Sequence, residues 1–428
     1  MELQSLQPLA QQLFADIRGL TFDGVGVTRA SYGEGENACA AYLEKFARSE
    51  GLDVVTDRAG NFVYFDTADT RSGAAIWTGS HLDSVPQGGN YDGLAGVVAG
   101  LLVLIAARRE GVTLPAPLKV IGFRGEESAW FGKAYMGSGA LWGKLSSADL
   151  ALQRRGDGIS LHDALAACGA DMAAISRQEK LINPAEIAAY IELHIEQGPV
   201  MVAREIPVGV VSGIRGNVRH NKIECWGDAQ HSGVVPRWLR KDAVFAVSDL
   251  IVRLDNHWRA LLERGTDLVV TCGVVQTNPA EHSISRVPGY AHFSFEARSK
   301  SSDTLEAFYQ LVQAEMHSIE RERGVKFVLD RRLMSEPAVC DAQLCDLMAQ
   351  ACRTRGIAHE RIPSGAGHDA ALFANGGVPS AMVFVRNQNG SHNPHEAMEL
   401  ADFMLGTQVM ADTIAAIPAA QPRVGTSL

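Results

Sequence analysis

The sequence has no Cys-x-x-Cys pair, and its cysteines number seven, an odd count. That excludes a fully paired disulfide framework and predicts a reducing compartment, the cytoplasm. Positive charge is not in excess either. Thirty-nine Lys and Arg face 49 Asp and Glu, a net charge of -10, and such a surface repels nucleic acid and anionic membranes. Neither is expected as a partner. No apolar run is long enough to span a bilayer: the longest, 93–107, is too short and carries three glycines, so it reads as a buried helix. The first twenty residues include Asp16 and Arg18 in place of a signal-peptide core. There is no P-loop, no Gly-x-Gly-x-x-Gly in the right context, no internal repeat and no low-complexity segment, which excludes the usual nucleotide-binding α/β proteins.

What is present fits two domains, because 428 residues at 46% hydrophobic content exceed one core. A helix is expected at 38–49, two short strands within 52–65 around the turn-rich 57–61, a strand at 74–78, a helix at 93–108, and strands at 118–123 and 188–194. Apolar strands alternating with helices predict an α/β domain with a buried sheet. The character changes at 209–216, where glycines and a serine cluster. Strand 218–226, helix 241–264, strands 267–276 and 290–298, helix 304–323 and strand 326–333 then suggest two helices on a four-stranded sheet. After Pro337 follow a helix at 342–355, a Gly-rich loop at 364–369, a strand at 381–385, a helix at 401–417 and a loose tail from Pro418. The expectation is one α/β domain of residues 1–212 and 334–428, interrupted by an α+β domain of 213–333.

Four segments carry chemistry. Gly79-Ser80-His81-Leu82-Asp83 follows an expected strand, and Asp92 stands just before a helix, where capping is its ordinary role. Gly125-Glu126-Glu127-Ser128 follows the next strand. Adjacent carboxylates there form either a solvated acidic turn or a pair with a cation between them. In the strand ending Glu192-Leu193-His194-Ile195-Glu196, alternation puts the three polar residues on one face, whether as an edge strand or as a site. His392 lies in the loop Gly390-Ser391-His392-Asn393-Pro394-His395-Glu396. Imidazoles and carboxylates without thiolates suit catalytic zinc, or manganese or cobalt, better than a structural zinc.

These motifs, in this order and with an inserted α+β domain, resemble the di-zinc aminoacylase and carboxypeptidase family over roughly residues 35–417. The segment His194-Ile195-Glu196-Gln197-Gly198-Pro199 and the loop Ser364-Gly365-Ala366-Gly367-His368-Asp369-Ala370 are similar to its hydantoinase/carbamoylase branch of N-carbamoyl-L-amino acid hydrolases, allantoate amidohydrolases and β-ureidopropionases. The resemblance implies two metal ions per subunit, with Asp92 bridging, His81 and His194 on one ion, and Glu127 and His392 on the other. It makes Glu126 the general base of a metal-bridged hydroxide that cleaves a linear amide bond, and Asp83 the partner that orients His81. It gives the inserted domain a dimerisation and lid role. His231 would stabilise an oxyanion in a neighbouring subunit's site, so a homodimer is expected. Substrate contacts would come from Gln197, Asn217, His282, Ser285, Arg298 and His368, with Arg298 holding the carboxylate of a small-molecule substrate.

The specificity positions depart from the family pattern. His231-Ser232-Gly233-Val234-Val235-Pro236-Arg237 stands where the family shows His-Ala-Gly-Thr-Thr-Pro-Met, and Trp130 replaces an arginine. His282 and Ser285 stand where the family has asparagines before the turn Val287-Pro288-Gly289. His220 and His282 are open to either substrate contact or ordinary packing. The alternatives are an aminoacylase or dipeptidase of the same superfamily, against which His194 argues because that branch carries a carboxylate there, or a catalytically silent metal-binding homologue.

Overall fold

The computed structural model describes residues 1–418, so the tail expected to be loose lies, beyond Pro418, outside the described residues. The chain divides into two compact units, Met1–Gly213 with Val339 onward, and Ile214–Ala338. The first is built on an eight-stranded sheet of β1 (Asp53–Thr56), β2 (Phe62–Phe65), β3 (Ala75–His81), β4 (Leu118–Phe123), β5 (Ile187–Ile195), β6 (Val208–Ile214), β7 (His359–Ser364) and β8 (Ser380–Val385). Their order is β1-β2-β4-β3-β5-β8-β6-β7. The centre, β4-β3-β5-β8, is parallel, while β1 and β2 run antiparallel to their neighbours and β6 antiparallel to β8. β8 is buried at every residue and β5 at all but one, as the near-continuous apolar runs of a covered parallel sheet require. His194 therefore stands on an inner strand, not at an edge.

The helix Leu94–Glu110 has every residue from Leu94 to Ala107 buried. This explains an apolar run with no amphipathic pattern. It lies close on the sheet because Gly96 lacks a Cβ, which would stand 2.3 Å from the Leu193 carbonyl oxygen. Among the described residues no helix is long and apolar enough to cross a membrane. Two elements differ from the sequence expectation. Gln7–Thr21 is a helix with Leu13, Phe14 and Ile17 buried, and 209–216, expected as a glycine-rich junction, is largely strand β6.

The second unit pairs the antiparallel strands Gly216–Trp226 and Tyr290–Ser299, in the register Tyr290 to Trp226 through Arg298 to Asn217. Ala291, Phe293, Phe295 and Ala297 pack into one core with Leu250 and Leu254 of the helix Ala243–Glu263 and with Phe308, Val312 and Met316 of the helix Ser302–Arg323. The alternation leaves Tyr290, His292, Ser294, Glu296 and Arg298 on the other face. The expected four strands are six segments. Strand 267–276 is broken into Val269–Thr271 and Val275–Thr277, and 326–333 into Lys326–Leu329 and Leu333–Ser335. At the second break the Asp330 carboxylate bonds His220 and the Lys222 N–H instead of continuing a ladder. The pairing of Leu333–Ser335 with Gly216–Trp226 carries this unit past residue 333, to Ala338.

Candidate metal centre

In a parallel sheet the strand C-termini share one edge, where ligands gather. His81 ends β3, Glu126 and Glu127 follow β4 after one short turn, and His194 is the next-to-last residue of β5. His392 follows β8, in the loop between the two-residue strands Asn387–Gln388 and Ala397–Met398. Asp92 precedes the helix Leu94–Glu110 but does not cap it; Gly93 holds that position with φ +67°. A Cβ on Gly93 would stand 2.4 Å from the His81 ring, so glycine is what lets His81 and Asp92 converge.

Asp92 lies at the centre. Its Oδ1 is 3.5 Å from His81 Nε2 and 3.2 Å from His194 Nε2, and its Oδ2 is 3.5 Å from His392 Nε2. His392 Nε2 is in turn 3.3 Å from Glu127 Oε1, and Glu126 Oε2 is 3.9 Å from His81 Nε2. Ligand atoms of His81, Asp92 and His194 lie within 4.8 Å of one another, as do those of Asp92, Glu127 and His392 and those of His81, Glu126 and Glu127. Asp92 Oδ1 and His194 Nε2 are both buried, and neither has a hydrogen-bond partner among the described residues. A carboxylate oxygen and an imidazole nitrogen that face each other unpaired fit a divalent cation.

The surrounding bonds aim these groups. Asp83 is fully buried; its Oδ1 lies 3.4 Å from His81 Nδ1 and accepts the Glu126 N–H at 3.0 Å. Its Oδ2 accepts the Glu127 N–H at 3.0 Å and the Ser31 hydroxyl at 2.6 Å. One carboxylate thus ties β3 to the Glu-Glu turn. His194 Nδ1 meets the Ile195 carbonyl at 2.9 Å, which turns Nε2 toward Asp92. Gln197, at φ +62°, donates from Nε2 to Asp92 Oδ2 at 2.8 Å.

Three carboxylates and three imidazoles cannot all stay neutral and separate here. Burial opposes charge on His81 and His194, yet the carboxylates around them, Asp92 for both, hold each imidazole above its ordinary range. His392 is pushed up to about 9, first by its hydrogen bond to Glu127. Burial raises the Glu126 carboxyl well above its usual range, helped by the charges of Glu127, Asp369 and Asp83. Asp92 is held well below its usual range by His194 and His81, against the effect of burial. A carboxylate that burial and like-charged neighbours make bind protons more tightly than usual can act as a base.

His368 is buried edge-on against His194, with ring centres 4.5 Å apart and its Nε2 2.8 Å from Ser364 Oγ. Asn217, His231, His282, Ser285 and Arg298 belong to the second unit. Arg298 donates from Nε and Nη2 to both oxygens of Glu296, at 3.0 and 3.1 Å. The exposed His231 is paired opposite Arg286, which joins its loop to that of His282 and Ser285. His282 lines a cavity of about 400 Å3 and bonds Thr277 Oγ1 at 2.6 Å. His220 is a packing residue: it is buried, with its nitrogens at Asp330 and the Tyr309 hydroxyl. Glu196 accepts the N–H groups of Val200 and Met201 and so caps a short helix. Ser391 and Glu396 are unmarked by any motif role in the sequence, yet both bond the Asp92 loop. Their only signal was closeness to His392.

Residues 77–416 match the model of peptidase family M20/M25/M40. The chain belongs to this family. It is 32% identical to the N-carbamoyl-L-amino acid amidohydrolase of Geobacillus stearothermophilus, over 91% of this chain and 93% of that one. It is 30% identical to the allantoate amidohydrolase of Bacillus subtilis (strain 168), over 92% and 93%. A solved amidase of the hydantoinase/carbamoylase family from Burkholderia multivorans superposes with a TM-score of 0.86 at 25% identity, covering 97% of this chain and 98% of its own. The resemblance to the hydantoinase/carbamoylase branch and the α/β fold class both hold, and the M20 family is metal-dependent.

Proposed function

We propose that this chain is a metal-dependent hydrolase of the linear amide C–N bond in a small carbamoyl or ureido compound, of the N-carbamoyl amino acid kind. The observation that carries the proposal is the division of Asp92: one oxygen faces His81 and His194, the other faces His392 beside Glu127. Two divalent ions, zinc with manganese or cobalt as alternatives, would be held by those two sets. Such ions supply Lewis acidity and lower the pKa of water. The names of the relatives at 30% and 32% identity support the substrate class.

The chain's own residues supply the rest. Glu126 takes the proton of the attacking water and returns it to the leaving nitrogen, a role its raised proton affinity suits. Asp83 holds both the His81 ring and the Glu126 backbone, so base and ligand keep a fixed spacing. We assign the substrate carboxylate to Arg298, and oxyanion stabilisation to His231 of a neighbouring subunit in a homodimer, as the family resemblance implies. Gln197, Asn217, His282, Ser285 and His368 remain candidate substrate-side residues on the same ground.

The test follows ammonia release from N-carbamoyl-L-amino acids and allantoate, and free amino acid release from N-acyl amino acids and dipeptides, before and after chelation. Carbamoyl amino acids should be cleaved and chelation should stop it reversibly. The short hydroxyl of Ser285 should make allantoate a poor substrate, improved by Ser285→Asn. Turnover confined to dipeptides or N-acyl amino acids contradicts the reading.

A further inference from the structure

Glu396 is outside every ligand cluster above, yet it is buried and bonds two of the three segments that carry the second ligand set, those of Asp92 and His392. Its Oε1 accepts the N–H of Tyr91 at 2.8 Å and of Asp92 at 3.2 Å. Its Oε2 accepts the Ser391 hydroxyl at 2.6 Å, and that hydroxyl also contacts Asp92 Oδ2. The approach depends on Gly89, where a Cβ would stand 2.0 Å from the Glu396 carboxyl carbon. A closed ring results: Asp92 backbone, Glu396, Ser391, Asp92 side chain. His392 is the residue after Ser391.

The His392 loop has its own internal brackets. Asn387 Nδ2 donates to the Gly390 carbonyl at 2.7 Å, Asn389 Nδ2 to that of His395 at 2.7 Å, and Asn393 Nδ2 to that of Asn389 at 2.9 Å. These bonds fix the loop's shape, but none of them reaches Asp92. Glu396 and Ser391 supply that link. The other half of the centre is held differently, with His81 aimed by Asp83 and His194 by the Ile195 carbonyl.

We propose that Glu396 is a positioning residue that sets the spacing of Asp92 and His392, and so the affinity of the Asp92–Glu127–His392 half of the centre alone. The inference rests on the two-metal reading above. Its physical basis is that a buried carboxylate bonded by three donors from two loops removes the freedom of those loops relative to each other. Partners of this kind change metal affinity by about 10–100-fold in other proteins.

The experiment titrates Co2+, followed by its visible absorption, into the chelator-treated full chain and its variants. Glu396→Ala should weaken one of two equivalents by about 10–100-fold and leave the other within about threefold. The melting temperature of the chelator-treated chain should stay near that of the natural chain. Glu396→Gln should restore both equivalents, because its carbonyl accepts the Tyr91 and Asp92 N–H groups while its amide donates to Ser391. Ser391→Ala, which cuts only the hydroxyl link, should give the same one-sided weakening to a smaller degree, and it decides the matter if Glu396→Ala does not fold. Unchanged binding in Glu396→Ala and Ser391→Ala, equal weakening of both equivalents, or a Gln variant as weak as Ala overturns the proposal. If the natural chain binds a single equivalent, the two-metal reading fails. The positioning role is then supported if Glu396→Ala weakens that equivalent and Gln restores it, and overturned if Ala leaves it unchanged.

Discussion

Asp92 Oδ1 and His194 Nε2 face each other across 3.2 Å, buried, with neither hydrogen-bonded among the described residues. Two such atoms side by side are unfavourable unless a proton or a metal ion lies between them.

Protons and metal ions therefore compete. His81 and His194 are held above the ordinary histidine range, against burial, by neighbouring carboxylates including Asp92; His392 is raised to about 9, chiefly by Glu127. At about 9 the His392 imidazole keeps its proton at neutral pH, so a cation must displace it, and the upward shifts of His81 and His194 act in the same direction. Affinity should rise with pH as far as about 9. Calorimetry in two buffers of different ionisation enthalpy should find about one proton or more released per chain near neutral pH. Binding without proton release contradicts this.

Adjacent side chains give Glu126 and Glu127 different surroundings. Glu127 Oε1 meets His392, whereas Glu126 Oε2 approaches His81 only to 3.9 Å. Glu126→Gln should retain metal and lose roughly 10²–10⁴-fold in kcat. Glu127→Gln should lose metal first. Metal analysis beside the kinetics decides, and the reverse pattern exchanges the two roles.

Arg298 offers its guanidinium fork to Glu296 through two bonds of 3.0 and 3.1 Å. A substrate carboxylate must share or replace that partner. Arg298→Ala should raise KM for carboxylate substrates by roughly 10–10²-fold with a smaller change in kcat. Arg298→Lys should recover only part, since an ammonium cannot reproduce the fork. Equal KM values in all three proteins would remove Arg298 from substrate binding.

Much of the centre was legible in the sequence because its residues sit in short motifs beside glycines at strand ends: His81 after Gly79, Glu126 and Glu127 after Gly125, His392 after Gly390. The apolar strands and helices that position them are periodic or continuously buried, so their pattern survives in one dimension. What was not legible depends on contacts far apart in the chain. Glu396 meets Asp92 across 304 residues, and Ser80 donates to Glu192 across 112. No local pattern distinguishes Glu396 from the acidic residues of any loop. Strand β6 was hidden by Gly209 and Gly213, which read as a junction although packing holds the segment extended beside β8.

His231 is exposed in its own chain, on a two-residue strand of the second unit. If it acts in a neighbouring subunit, His231→Ala and Glu126→Gln damage different partners of one site. Co-refolding the two inactive variants should then restore up to about a quarter of the activity, since one of the two sites in each mixed dimer is intact. Subunit exchange confirmed by mass spectrometry with no recovered activity contradicts a shared site.

The central claim is that Asp92 joins two divalent ions. The most direct measurement is an anomalous difference map, recorded at the zinc absorption edge from crystals of the zinc-loaded protein. The predicted result is two peaks flanking the Asp92 carboxylate, one beside His81 and His194 and the other beside Glu127 and His392. A single peak, or peaks away from Asp92, would contradict the account.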